Sequence, residues 1–209
     1  LATLGGGNHF LELDRDEAGD LWAIVHTGSR GLGAVIAKHH REAARAGDVN
    51  ADGALAALDA TSDAGAAYLR DVTWALTFAK ANREAILRRA AEVLADIAGV
   101  ESPCEEVDVH HNFVAREDHA GRALLVHRKG ATCATAGATG IIPGSMGTAT
   151  YLVRGLGCEA AFASCSHGAG RVMTRSEARE RVKPRALEHA MRRVVFDTRR
   201  AGALVEEAP

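Results

Sequence analysis

The chain has no strong charge of either sign. Its 209 residues carry 25 Lys and Arg against 27 Asp and Glu, a net charge of −2. The molecule as a whole is therefore not a polycation. The four cysteines, Cys104, Cys133, Cys158 and Cys165, show no two-residue gap. That excludes a zinc knuckle and a CxxC redox motif. A disulfide framework is not expected in a chain with this large a potential core. A reducing, cytoplasmic setting is the expectation. No membrane span is expected either. The longest uncharged run, residues 130–153, is broken by glycines, threonines and Pro143. The first residues carry no basic-then-apolar leader pattern. Aromatic residues are scarce, at 4%.

Glycine, at 22 residues, and histidine, at 10, are plentiful. Much of the backbone must turn tightly, and many imidazoles are on offer. Hydrophobic residues at 47% and charged residues at 25% are ordinary globular usage and exclude a disordered tail. The length suits one large domain or two small ones.

Leu21–Val25 is a compact apolar run of strand length ending in a polar loop over 26–31. Residues 33–46 read as a helix and 48–53 as a loop. From 61 to about 98 the pattern is helical, as two helices or one long one. Leu69, Val72, Leu76 and Ala79 form its apolar stripe. Residues 104–126 look strand-like, and 129–170 are dominated by Gly-rich loops. Thr174-Arg175-Ser176-Glu177 fits a capping box and opens a short helix. After Pro184 a second basic helix is expected, to about Arg200.

Charge is concentrated near the C-terminal end. Ten basic side chains lie between 171 and 200, opposed there by Glu177, Glu180, Glu188 and Asp197. Such a segment can track a phosphate backbone or form a solvated helix face. Four histidines sit beside Gly, Ser or Asn, where a loop can present the ring: His9, His26, His111 and His167. Neutral imidazole is a frequent metal ligand, and a structural role is the alternative for each. Gly-rich turns at 5–7, 143–147 and 168–170 allow backbone N–H groups to converge on an anion, or are simply turns. None fits the P-loop pattern. His167, with Gly168, Gly170 and Arg171 close behind, has the setting of an exposed nucleophile beside an anion pocket.

Seven blocks stand in order along the chain: TLGGGNHFLE (3–12), VHTGSRGLG (25–33), HHNFV (110–114), HRKGAT (127–132), GIIPGSMGT (140–148), YLVRGLG (151–157) and CSHGAGRVMTR (165–175). Together they resemble the RtcB-type RNA-splicing ligases. The resemblance implies joining of RNA 3′-phosphate (or 2′,3′-cyclic phosphate) to 5′-hydroxyl ends, with GTP and two Mn²⁺ ions. It implies His167 as the nucleophile that becomes guanylylated. His9, His26 and His111 match metal ligands. Asn8, His9, Phe10, Leu11, Glu12, His111 and Asn112 match nucleotide contacts. So do Pro143, Gly144, Ser145, Met146, Gly168, Ala169 and Gly170. Thr150 falls where the family usually has Ser. Arg30 and Arg171 would face RNA.

The fold implied is α+β: a single mixed domain over 1–209, with strands and Gly-rich loops around a metal and nucleotide cleft. The helical stretch at 61–98 would be an insertion in it. The family's upstream Asp and Cys ligands, in a DxxC-like motif, have no counterpart here. Nor do its downstream Tyr and near-terminal Lys. Cys133 stands where Arg is frequent. The expectation is therefore the middle and later part of a ligase, cut at both ends. The resemblance leaves a protein activator open. The alternatives are a binuclear metal phosphoesterase and a non-catalytic RNA-binding fragment.

Overall fold

The computed structural model describes residues 1–47, 56–99 and 105–207. The loop expected over 48–53, and Cys104 at the start of the strand-like segment, lie outside the described residues. The chain divides into two compact units, Leu1–Asp108 and Val109–Pro209. Both mix helix and strand.

The first unit opens with an antiparallel hairpin, β1 (Phe10–Arg15) and β2 (Leu21–His26), with Phe10 opposite His26. Asp16 closes its turn. Its carboxylate accepts from the Gly19 and Asp20 amides, both at 2.8 Å, and from the Trp22 indole at 3.0 Å. A two-stranded ribbon is marginal alone, and this one packs through β2 on a helix. Helix α1 (Leu32–Gly47) begins where Ser29 Oγ accepts from the Gly33 amide at 2.9 Å. Helix α2 (Asp63–Ala98) is a single helix, capped by Ser62 at its start and by left-handed Gly99 at its end. Buried His40 of α1 bonds Asp71 of α2 at 2.7 Å.

The buried line of α2 is Gly65, Ala75, Ala79, Asn82 and Ile86. The stripe expected from sequence shares only Ala79 with it, and its other three members are half-buried. The reason is size. Three of the five members of the buried line, Gly65, Ala75 and Ala79, are small, and small side chains let neighbouring backbone approach closely.

The second unit is built of three antiparallel ladders. The first is β3 (Asn112–His119) with β4 (Arg122–Lys129). Its two-residue turn, Ala120-Gly121, has positive φ at both positions, matching the right-handed twist of the strands. Within the segment expected to be loops, short strands form. These are β5 (Ala131–Cys133) pairing β8 (Ser164–Ser166), and β6 (Thr139–Ile142) pairing β7 (Tyr151–Arg154).

The capping box at Thr174 and Glu177 is formed and opens α3 (Arg175–Arg181). Helix α4 starts with Pro184 in its first turn but ends at Ala190, ten residues short of the expected Arg200. The β-branched pair Val194-Val195 disfavours helix. Asp197 then caps its own short turn by accepting from the Arg199 amide. A four-residue helix, α5 (Ala201–Leu204), follows. Leu187, Met191, Ala201 and Val205 form the buried cluster of this unit, with Met146 and Phe196 packed on it. No described helix is long and apolar enough to cross a membrane.

Candidate functional site

In the first unit the Gly-rich segment 5–8 leads directly into β1. It is held from three sides. Asn82, 0% exposed, accepts from the Thr3 amide at 3.1 Å and donates to the Thr3 carbonyl at 2.9 Å. Buried Thr27 donates its hydroxyl to the Leu4 carbonyl at 2.7 Å. Arg30 donates through Nε to Thr3 Oγ1 and through Nη1 to His9 Nδ1, both at 3.2 Å. Gly5 is required under that guanidinium. Its φ is +101°, and a Cβ there would stand 2.1 Å from Arg30 Nη1.

His9 and His26 lie edge to face, ring centroids 6.0 Å apart, and Phe10 also meets His26 edge to face at 5.4 Å. Burial and the Arg30 charge push the His9 pKa below its ordinary value, against a hydrogen bond to the Leu4 backbone. The ring is therefore neutral at pH 7, the state a metal ligand needs. Two imidazoles this close form a partial donor set. Among the described residues no group of three or more His, Cys, Asp or Glu side chains is gathered for a metal ion. A metal bound through His9 Nδ1 would have to displace Arg30.

Asn8 is exposed, and Glu12 is half-buried on the same face of β1 as Phe10. Leu11 lies on the other face. With Leu13, Ile86, Val93 and Leu94 it lines an open apolar groove of about 330 Å³.

In the second unit His111 and His167 are stacked, with centroids 4.4 Å apart and planes 27° apart. His167 Nδ1 lies 2.7 Å from the Gly130 carbonyl. A carbonyl only accepts, so Nδ1 carries the proton and Nε2 carries the lone pair. The Gly130 amide is held in turn by Asn112 Oδ1 at 3.0 Å and by the His111 carbonyl at 2.7 Å. Thus Asn112, matched by resemblance to a nucleotide contact, here orders the loop that receives His167.

The turn 143–148 faces the 168–170 segment. The Ala169 amide donates to the Pro143 carbonyl at 3.0 Å. Thr148 Oγ1 accepts from the Ser145 amide at 2.8 Å and closes the turn. Met146 anchors it to the Leu187–Met191 cluster. Gly144 and Ser145 are half-buried in this turn, and Thr150 is half-buried just beyond it. Gly168 is half-buried, and Ala169 and Gly170 are exposed.

Arg171 is paired with Glu207 at 3.1 Å. Glu207 also pairs Arg175 at 2.7 Å, and Glu206 pairs Arg179. Three of the ten basic side chains read from 171–200 are therefore paired with two acids just past that window. The sequence reading missed them because ion pairing is not confined to neighbours in the chain.

It also missed Asn82, a polar residue inside a helix with no motif around it, and a buried ion pair. Arg128, with its side chain 1% exposed, makes a two-pronged contact with Glu117. Glu117 also accepts from His119 Nε2 at 2.9 Å. The Arg128 guanidinium holds the Glu117 carboxyl below the ordinary glutamate range, with the His119 bond acting the same way against burial. A carboxyl with a lowered folded pKa stabilises above its unfolded value and loses that contribution as pH falls through the folded one. Glu117→Gln should cost about 3 kcal/mol at neutral pH by leaving a buried charge unpaired. The gap to wild type should be flat down to about pH 5 and narrow below the unfolded value near 4.5. Urea unfolding followed by hydrogen exchange of β3 and β4 amides measures it. A gap that widens on acidification would contradict the assignment.

The chain matches the family model described as tRNA-splicing ligase RtcB over residues 1–209. It is 42% identical over 191 residues to the RNA-splicing ligase RtcB of Escherichia coli (strain K12). That match covers 86% of this chain and 47% of the relative. It is 33% identical to the RNA-splicing ligase RtcB of Mycobacterium tuberculosis (strain ATCC 25618 / H37Rv), over 100% of this chain and 57% of that one. It is 32% identical to the tRNA-splicing ligase RtcB of Methanocaldococcus jannaschii, over 100% of this chain and 26% of that one. The chain thus spans about half the length of the first two of these relatives.

Proposed function

The chain belongs to the tRNA-splicing ligase RtcB family, and from that premise we propose that the whole protein joins RNA 3′-phosphate to 5′-hydroxyl ends through a guanylylated His167. The observation that carries this reading is the His167–Gly130 contact. With its proton held at Nδ1 by a carbonyl 2.7 Å away, the ring offers the Nε2 lone pair without a deprotonation step.

Nε2 attacks the α-phosphorus of GTP. The bond from that phosphorus to the bridging oxygen breaks, and pyrophosphate leaves with the electron pair. The ring keeps its Nδ1 proton and so becomes cationic, and the Gly130 carbonyl dipole stabilises that charge. An oxygen of the RNA 3′-phosphate then takes the GMP group and His167 returns to neutral. The RNA 5′-hydroxyl attacks the activated 3′-phosphorus, loses its proton, and GMP departs. A 2′,3′-cyclic phosphate end is first opened by water. The 168–170 segment is tied to the Pro143 carbonyl through the Ala169 amide, and Gly168 and Gly170 on either side allow close backbone approach to phosphate oxygens.

Mn²⁺, when bound, neutralises triphosphate charge. His9 and His26 are the two imidazoles of the first unit suited to hold it, and His111 is the third that the resemblance assigns. Arg30 and Arg171 are the proposed RNA contacts. Engaging RNA at Arg171 means exchanging its pairing with Glu207 for a phosphate.

The test is to incubate the full-length protein with GTP and Mn²⁺, denature it, and take an intact mass. Joining of an RNA with 3′-phosphate and 5′-hydroxyl ends is measured alongside. A one-GMP increment together with joined RNA is expected. Hydrolysis of RNA ends without any increment would replace this reading with a metal phosphoesterase. Neither activity would leave an RNA-binding module.

A further inference from the structure

We propose that Arg128 is a positioning residue for His167, setting the distance between the nucleophile's ring and its carbonyl acceptor. The proposal rests on the role of His167 given above.

The His167–Gly130 hydrogen bond joins two stretches of chain that are far apart in sequence. Gly130 follows β4, and His167 follows β8. Arg128 is two residues before Gly130, and its guanidinium is bound to the start of the other stretch. Its Nε donates to Ser164 Oγ at 2.9 Å, and its Nη2 donates to the Phe162 carbonyl at 2.8 Å. Its remaining donors grip Glu117 on β3. One buried side chain therefore ties β3, β4 and the entrance of β8 together, two residues from Gly130 and three from His167 along the chain.

The entrance of β8 needs such a tie. Phe162 and Ala163 both have positive φ, +49° and +45°, in a region that residues with a Cβ rarely adopt. Two consecutive residues in that state persist only when neighbours over-determine them. The Ala163 amide donates to the Cys158 carbonyl at 2.9 Å, and its carbonyl accepts from Ala134 at 2.6 Å. The Phe162 carbonyl is held by Arg128 and by the Ser164 hydroxyl, the latter at 3.0 Å. From Ser164 the chain runs three residues, paired with β5, to His167. A relaxation at 162–163 moves the ring.

Arginine is specifically suited to this position. A flat fork with five donors can reach four acceptors in different directions at once. A lysine ammonium would keep the charge and part of the Glu117 contact, but would lose the fork. Stability alone would require only that Glu117 be neutralised. The bonds to Ser164 and Phe162 go further, because they carry the ion pair's rigidity to the nucleophile's strand.

The experiment compares the full-length protein with its Arg128→Lys, Ser164→Ala and doubly substituted forms. Two readouts are taken. Imidazole nitrogen shifts of His167 report which ring nitrogen holds the proton. The rate of GMP-adduct formation against GTP concentration separates kcat from KM. For Arg128→Lys, kcat should fall about 30-fold with KM within about threefold, since a misplaced nucleophile leaves binding intact. The Nδ1-protonated share of His167 should fall with it. Ser164→Ala should lower the rate about fivefold in the same direction. In the Arg128→Lys background the Ser164 substitution should have no further effect.

A folded Arg128→Lys protein with the wild-type tautomer signal and the wild-type rate would overturn the proposal. If that variant does not fold, Ser164→Ala decides by the same two measurements. A wild-type protein that forms no adduct would refute the guanylylation reading. The tautomer signal would still decide whether Arg128 positions His167.

Discussion

His167→Ala removes the one-GMP mass increment altogether and lowers end joining by roughly four orders of magnitude or more, as loss of a covalent nucleophile does. The fold should survive. The ring is half-buried, stacks on His111 and bonds the Gly130 carbonyl. The cost to stability should be about 1 kcal/mol. GTP affinity should change little, because the backbone of the proposed nucleotide contacts, Gly168, Gly170 and the 143–148 turn, does not depend on the imidazole. Intact mass, equilibrium GTP binding and thermal unfolding measure the three separately. Retention of the increment in the alanine variant would move the nucleophile to another residue, and a joint loss of binding and adduct would mark His167 as structural.

The second large effect is expected at a residue with no side chain. Gly130 has φ of +69°, and a Cβ built there stands 3.3 Å from His167 Cε1 and 3.4 Å from Nδ1. Gly130→Ala therefore carries two penalties. The left-handed backbone costs about 1–2 kcal/mol for any residue with a Cβ. The methyl also presses on the ring at the edge of van der Waals contact. The ring must yield by a few tenths of an ångström, which lengthens or bends the bond that holds its proton at Nδ1. Adduct formation should fall by about 10–100-fold while KM for GTP stays within about threefold. The Gly130 amide keeps its two acceptors, Asn112 Oδ1 and the His111 carbonyl, so the loop itself should remain. A variant that is destabilised yet reacts at the wild-type rate would show that this glycine serves the turn and not the nucleophile.

Much of the local structure was legible. The β2 run, the first helix, the long helix and the Thr174 capping box are short-range patterns, and such patterns depend on neighbours within four residues. The seven sequence blocks identified the family before any geometry was known. What failed did so for reasons of packing. The apolar stripe of α2 was placed one face over, because its burial follows small residues and one asparagine rather than the leucines. The helix after Pro184 was drawn too long, because the Val194-Val195 pair and the Asp197 cap compete with helix more strongly than the run of basic residues suggests.

The sequence by itself determined which residues could do chemistry: the histidines beside small residues, the glycines that admit close backbone approach, and an arginine-rich segment. These are properties of residue type and spacing, so they survive without coordinates. The tertiary structure alone decided how those residues are set. It gave His167 its protonated Nδ1 through a carbonyl 37 positions away. It held the Gly-rich entrance to β1 by an asparagine 79 positions from Thr3. It matched three of the arginines to Glu206 and Glu207. A hydrogen bond acts only over about 3 Å and takes no account of separation along the chain. Which donor meets which acceptor is therefore set by how the strands and helices pack, and no local pattern records it.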